Sequence, residues 1–294
     1  MDGFIFIDKP KGLTSQSVCL RLKRKLNLEK CGHNGTLDPS TTGLLVVGCN
    51  KATKLMKLIN EHDKTYVTTI VFGYDSQTLD IDSPITSDIN MNFDFNDLKN
   101  ALEKLKNQET QIPPMVSAIK IDGKKMYELA RKGIEIDLPA REVKIYNYEI
   151  LSDLRLIDNH LEVDIKLDVS KGFYVRSFAR DLGKLLNGCA IMKNLRRIKA
   201  GQFDISKAQN FENISNNDII PITDIFKFEK LYVNDYIAKL VKNGVVLDER
   251  QIITDEPFYV INNDNILAIY EPIEERKYKP IIIFRWFNLW KQYI

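Results

Sequence analysis

The sequence predicts a mixed α/β fold of the α+β class, with a large first part and a small β-rich tail. Three observations carry this reading. Strand-like segments recur along the chain, some alternating apolar with polar residues and some continuously apolar. Segments with apolar residues at helical spacing separate them. The 294 residues have room for a large domain with a small companion, and we place the division between 1–228 and 229–294.

Phe4-Ile5-Phe6-Ile7 reads as a short buried strand, ended by Lys9-Pro10-Lys11-Gly12. Thr14 or Ser15 can cap a helix near 16–27, with Val18, Leu22 and Leu26 on one face and Arg21, Lys23, Arg24 and Lys25 on the other. A Gly-rich polar loop, 31–43, leads to the apolar run Leu44–Val47. A helix near 51–60 follows, then a strand over Tyr66–Phe72. Residues 74–96 read as an acidic, irregular surface excursion, and a helix is expected near 96–107. A short amphipathic helix is expected near 125–132. Leu161, Val163, Ile165, Leu167 and Val169 alternate with polar positions, which predicts a half-buried strand. Ser170-Lys171-Gly172 turns the chain into a helix near 176–187 with Phe178, Leu182 and Leu185 as its stripe. The Asn-rich stretch 209–227 reads as a connector. The tail has a helix near 234–243 and strands near 258–262, 266–270 and 281–287.

The composition excludes several classes. Hydrophobic residues are 44% and charged residues 28% of the chain, which rules out wholesale disorder. No apolar run is long enough to span a membrane, and Asp2 stands where a secretory signal would be basic. A cytoplasmic protein is expected. Cys19, Cys31, Cys49 and Cys189 form no C-x-x-C pair and no zinc spacing. The net charge of +2 hides a polar distribution. Residues 1–57 hold ten Lys/Arg against four Asp/Glu, and residues 171–207 hold nine against two. Residues 74–110 hold three against eight. Two basic segments of this kind suit a polyanion, or they are two solvated helix faces.

Cys31 to Gly43 carries the strongest chemical signal, with His33 and Asp38 on one glycine-bracketed loop. Pro39 keeps Asp38 out of helical geometry, so the carboxylate projects from an extended loop. An Asx-turn without chemistry is the alternative. A phosphorylated aspartate would sit at the end of an apolar strand, whereas Asp38 follows a polar loop. A carboxylate attacking a sugar or base electrophile suits a lone Asp with cationic and aromatic partners. Tyr66 opens a strand, as a structural residue or as a stacking face for a base. Arg176 lies at a turn-to-helix junction and could pair with a carboxylate. Leu195-Arg196-Arg197 offers paired cations for phosphates. Pro114 to Lys120 and Gly123 to Tyr127 interleave basic and aromatic residues, which fits RNA loop recognition.

Taken in order, these segments resemble the TruB-type tRNA pseudouridine synthases. Lys9, Pro10 and Gly12 match a K-P-x-G motif, and Gly32 through Gly43 is similar to the signature that carries that family's aspartate. Lys64-Thr65-Tyr66 resembles the stacking-tyrosine motif, and Lys171 to Arg176 the K-G-x-Y-[IV]-R motif. Leu195-Arg196-Arg197 closes the set, which runs over residues 2–201. Cys189-Ala190-Ile191 departs from a common G-A-H. The resemblance implies a largely antiparallel central sheet, a T-loop-binding insert at about 113–141 and a PUA-like RNA-binding tail. It implies isomerisation of uridine to pseudouridine at position 55 of the tRNA T-loop, without metal or cofactor, by a monomer with no obligatory protein partner. Asp38, Tyr66 and Arg176 are the implied catalytic residues. His33, Tyr174, Leu195, Lys9, Pro10, Lys120, Lys124, Arg131, Arg196 and Arg197 are the implied substrate contacts. A non-catalytic tRNA-binding module and a metal-dependent nucleotide hydrolase using Asp38 are the competing readings.

Overall fold

The computed structural model describes residues 1–33, 35–60, 63–117, 120–121, 124–125 and 138–284. Strand β1 (Gly3–Lys9) is followed by helix α1 (Ser15–Lys25), whose N-cap is Thr14: its hydroxyl accepts from the Ser17 N–H at 3.0 Å. Strands β2 (Cys31–His33) and β3 (Thr42–Cys49) bracket the Asp38 loop. The helix expected at 51–60 is instead a 3₁₀ turn, Asn50–Leu55, running into α2 (Met56–Asn60). Asn50 has φ +53° and accepts from the Thr53 hydroxyl, which tightens that start. Strand β4 (Lys64–Phe72) leads into β5 (Tyr74–Ser76) and β6 (Ile85–Asp88), which pair with each other. The acidic excursion is therefore ordered, not irregular. Helix α3 (Phe95–Lys106) opens with a capping box between Asp94 and Asp97.

Short strands β7 (Thr110–Gln111), β8 (Lys120–Ile121), β9 (Lys124–Lys125) and β10 (Arg141–Glu142) follow. Of the helix expected near 125–132, Lys125 lies in β9 and residues 126–132 lie outside the described residues. Strands β11 (Ile145–Ile150), β12 (Arg155–Ile157) and β13 (His160–Val169) precede helix α4 (Val175–Leu185). After it come β14 (Ala190–Ala200), β15 (Phe203–Asp204), β16 (Gln209–Asn210) and β17 (Ile220–Pro221). The last part holds β18 (Glu229–Tyr232), α5 (Asp235–Lys242), β19 (Leu247–Asp248), β20 (Phe258–Asn262), β21 (Asn265–Pro272) and β22 (Lys277–Ile283).

The main sheet runs β11-β13-β4-β14-β3-β1-β16 and is largely antiparallel, as expected, with parallel pairing at β14–β3 and β1–β16. The stretch expected as a connector supplies β16 and β17, which both pair with β1. Their two-residue length gave no periodicity to read.

Alternation along the strands sorts side chains between two cores. Ile5, Ile7, Leu45, Val47, Ile70 and Val163 pack on one face against Val18 and Leu22 of α1, Leu98 and Leu102 of α3, and Phe178 and Leu182 of α4. Phe4, Phe6, Leu44 and Val46 point the other way and pack with Tyr259, Ile261, Ile269 and Ile282 of a second sheet, ordered β18-β20-β21-β22-β19. The continuous apolar run of β1 thus reflects a strand buried on both faces. Strand β13 alternates because only its Val163–Val169 face is covered. Helix α5 closes the far face of the second sheet with Ala238 and Val241. Among the described residues no helix is long and apolar enough to cross a membrane.

Strands β3 and β14 meet at a point that only glycine permits. Gly43 has φ +102°, and a Cβ there would lie 2.3 Å from the Arg197 carbonyl oxygen and 2.8 Å from its nitrogen. Gly43→Ala should therefore lower the unfolding free energy by at least about 2 kcal/mol, measured by urea denaturation. A loss within experimental error would show that the two strands can separate without penalty.

Candidate active site

The loop between β2 and β3 is held from below at several points. The buried Ser15 hydroxyl donates to the Leu37 carbonyl (3.2 Å) and accepts from the Leu37 N–H (2.8 Å). The Gly12 N–H donates to the Pro39 carbonyl at 2.8 Å, and the Thr41 N–H to the Asp38 carbonyl at 3.0 Å. The Asp38 side chain stays 41% exposed at the mouth of a cavity. Opposite it, Arg176 projects from the first turn of α4, and one of its terminal nitrogens lies 2.9 Å from a carboxylate oxygen of Asp38. Arg176 also donates to the carbonyls of Thr78 and Val116, both at 3.0 Å, and its side chain is only 9% exposed. The protein, not solvent, sets the position of this guanidinium.

The cavity, of about 380 Å³, is lined by Asp38, Lys64, Tyr66, Tyr174, Arg176 and Leu195, among others. Tyr66 is nearly buried on β4. The Tyr174 N–H is fixed by the buried Gln111 side chain at 2.8 Å, and burial pushes the Tyr174 phenol pKa up. His33 is half-buried, and its pKa is lowered first by burial and then by the nearby Arg197 charge, so the ring favours its neutral form.

Two of the expected substrate contacts, Lys9 and Arg197, are buried in the structure and brace the loop. Lys9 is fully buried, and its ammonium donates to the carbonyls of Pro10 (2.9 Å), Leu13 (2.6 Å) and Pro39 (3.4 Å). It braces the Asp38 loop from inside, out of reach of a phosphate. Arg197 is 1% exposed, and its Nε–H donates to the Leu44 carbonyl at 2.8 Å. A second nitrogen reaches the Gly35 carbonyl at 3.5 Å, so this side chain spans the loop. Arg196 is half-buried and bidentate to Asp8 at 2.9 and 2.6 Å. Pro10 is exposed beside this brace. Lys120 and Lys124 lie in the β8–β9 hairpin, and Arg131 lies outside the described residues.

Asp80 was not anticipated. It is 7% exposed, accepts from the Ser40 hydroxyl and the Asp82 N–H, both at 3.0 Å, and ties the β5–β6 excursion to the loop two residues after Asp38. Burial raises its pKa. In the sequence it is one carboxylate among many in an acidic stretch, and nothing there marks it as buried. Among the described residues no three His, Cys, Asp or Glu side chains converge as a metal ligand set. The assembly offers an accessible carboxylate, a fixed cation, an aromatic wall and an apolar lining. That set can act on an uncharged, planar, ring-bearing electrophile.

Comparison with known proteins bears on that set. The model of the TruB family pseudouridylate synthase N-terminal domain matches residues 23–175. The chain is similar to a tRNA pseudouridine synthase B of Aster yellows witches'-broom phytoplasma (strain AYWB), with 42% identity over 97% of this chain and 100% of that protein. It is similar to the corresponding protein of Acholeplasma laidlawii (strain PG-8A), with 41% identity over the same shares. In fold it resembles a chain of a solved Cbf5-Nop10-Gar1 complex, with a TM-score of 0.66 and 22% identity, covering 96% of this chain and 84% of that one.

The brace under the loop has a measurable signature. Burial lowers the Lys9 pKa from 10.5 to about 8. Between those values the unfolded chain holds more protons than the folded one, so stability rises with pH across that window. Urea unfolding between pH 7.5 and 10 should show a smaller rise for Lys9→Met than for the unaltered protein. Identical pH dependence would mean that Lys9 is solvated in the native state.

Proposed function

The chain belongs to the TruB family of pseudouridylate synthases, and on that premise we propose that it converts uridine to pseudouridine at position 55 in the T-loop of tRNA. The observation that carries this reading is the Asp38–Arg176 ion pair at 2.9 Å, set in a cavity shared with Tyr66. The relatives at 41 and 42% identity are tRNA pseudouridine synthases B over their full length, which supports tRNA as the substrate.

The reaction breaks the C1′–N1 glycosidic bond, turns the base and joins C5 to C1′. Substrate and product have the same composition, so no electron or group donor is required. Asp38 attacks C1′ or takes a proton from the sugar, and either route makes the base depart as an anion. Arg176 holds the carboxylate aimed at the sugar. Tyr66 stacks under the uracil and assists loss of the C5 proton. Tyr174, Val175 and Leu195 wall the cavity and confine a base that is no longer tethered. The target must first leave its stack, at a cost of a few kcal/mol that RNA contacts offset.

Those contacts come from several parts of the chain. The insert at about 113–141, with Lys120, Lys124 and Arg131, clamps the T-loop, and His33 lies against it. The exposed lysines and arginines of α1 and the 171–184 segment face phosphates, which makes binding weaken with salt. Residues 1–228 form the catalytic domain and 229–294 a PUA-like RNA-binding domain. The protein works in the cytoplasm as a monomer, without a protein partner.

Incubation with unmodified tRNA, followed by mapping of pseudouridine, tests the function directly. Product should form at the T-loop uridine, and its absence would reject the reading. Asp38→Asn should abolish product formation while tRNA affinity changes by no more than about three-fold, as expected for a group acting on the transition state alone. Substantial turnover by that variant would remove Asp38 from its role. Excess EDTA, added after the tRNA has folded, should leave the rate unchanged. A strict metal requirement at that point would favour a nucleotide hydrolase.

A further inference from the structure

We propose that Lys64 is a further catalytic residue, whose side chain reaches the rim of the base-binding cavity and holds the uracil anion after the glycosidic bond breaks. The proposal rests on the pseudouridine synthase reading above.

The placement follows from strand geometry. Lys64 and Tyr66 are two residues apart on β4, so their side chains leave the same face about 7 Å apart. Both line the cavity that Asp38 enters. If Tyr66 stacks on the uracil plane, the next position on that face lies at the plane's edge, where the exocyclic oxygens are. Lys64 also borders the adjoining cavity of about 670 Å³ between the main sheet and the C-terminal part, so its chain crosses the wall between the two.

The surroundings set the character of the amine. Arg197, Lys171 and Lys199 are the cations around it, and Asp63 precedes it in the chain. Asp168 and Glu256 border the adjoining cavity, where Asp168 accepts from the Thr65 hydroxyl and Asp63 from the Tyr146 hydroxyl. Tyr66 stands beside it on the same strand face, and Asp38, Tyr174 and Arg176 line the catalytic cavity with it. Burial and the neighbouring Arg197 lower its pKa from 10.5 to about 8, which leaves it cationic at neutral pH. A cation in a partly dry cavity acts more strongly on a nearby charge than one in water.

The reaction has a use for that charge. When C1′–N1 breaks, its electron pair leaves with the base as a uracil anion spread over N1, O2 and O4, while Asp38 becomes neutral by bonding to C1′ or by taking the proton lost from the sugar. The anion is consumed when C5 bonds to C1′, as the bond between Asp38 and C1′ breaks or as the sugar takes its proton back from Asp38; the C5 proton then leaves and N1 takes one up. Arg176 is bound to Asp38 and two carbonyls on the sugar side of the site. Lys64 meets the base from the other side.

The test is single-turnover pseudouridine formation on unmodified tRNA, from pH 6 to 9.5, with tRNA affinity measured alongside. Lys64→Met should lose about 100-fold or more in rate, the scale of removing one preorganised charge donor, while affinity changes by no more than about three-fold. The unaltered protein should lose rate as pH rises through about 8, where the amine gives up its proton. Lys64→Arg, which does not titrate in this range, should keep more than about a tenth of the rate and lack that decline. Lys64→Met within three-fold of the unaltered rate overturns the proposal, as does a rate that rises through pH 8 or a decline that persists in Lys64→Arg. If Lys64→Met does not fold, the pH profile of Lys64→Arg decides alone. An unaltered protein that makes no pseudouridine rejects the underlying function instead.

Discussion

Asp38 and Arg176 meet at 2.9 Å across the mouth of the cavity, and the two sides of that contact are built differently. Arg176 is almost wholly buried and holds two backbone carbonyls as well as the carboxylate. Its position therefore survives whatever happens to Asp38. Asp38 keeps 41% of its side chain exposed and, Arg176 apart, is held through the backbone of its loop. An exposed ion pair contributes little stability, and a fully buried one carries a desolvation penalty on both partners. In this pair the desolvation falls mainly on the cation. The carboxylate keeps access to substrate, which a reacting group requires, and the cation keeps its aim.

The same division runs through the charge distribution. Residues 1–57 and 171–207 carry most of the excess positive charge, but part of that excess never reaches the surface. Lys9, Arg176 and Arg197 are directed to backbone carbonyls around the Asp38 loop, and Arg196 is matched by Asp8. Carbonyl dipoles replace water around these cations, as burial of a charge demands. The basic segments thus serve two ends: an inner set fixes the loop and an outer set, on α1 and around Lys171, faces solvent. A count of lysines and arginines adds the two together and overstates the field outside.

Legibility in the sequence followed the physics of each element. Helix α3 was readable because its capping box and its Leu98, Leu102, Leu105 stripe act within one element. Strand β13 was readable because one covered face produces strict alternation. Strand β14, in the middle of the sheet, was not expected as a strand. It carries register shifts between Met192 and Asn194 and between Arg197 and Lys199, and each resets the alternation. Asp38 and Arg176 stood out through their motifs. Whether Lys9 or Arg197 turned outward or inward could not be read from residue type, because a phosphate and a carbonyl ask for the same donor. Asp80 was hidden for a related reason: its burial depends on a hairpin packing over the loop, a contact between distant segments.

The C-terminal sheet has a place in this arrangement beyond any contact with RNA. Strands β1 and β3 flank the Asp38 loop, and β1 delivers Lys9 while β3 begins at Thr42 and Gly43. Both strands are covered on one face by α1 and on the other by Tyr259, Ile261, Ile269 and Ile282. Without the second cover Phe4, Phe6, Leu44 and Val46 would face water, and the strands that carry the brace would lose half their packing. Lys51 adds a bond to the Ile283 carbonyl at 3.2 Å, and Lys57 pairs with Glu271. The tail is thus part of what holds Asp38 in position, and its strands are as much a foundation of the site as the loop's own hydrogen bonds.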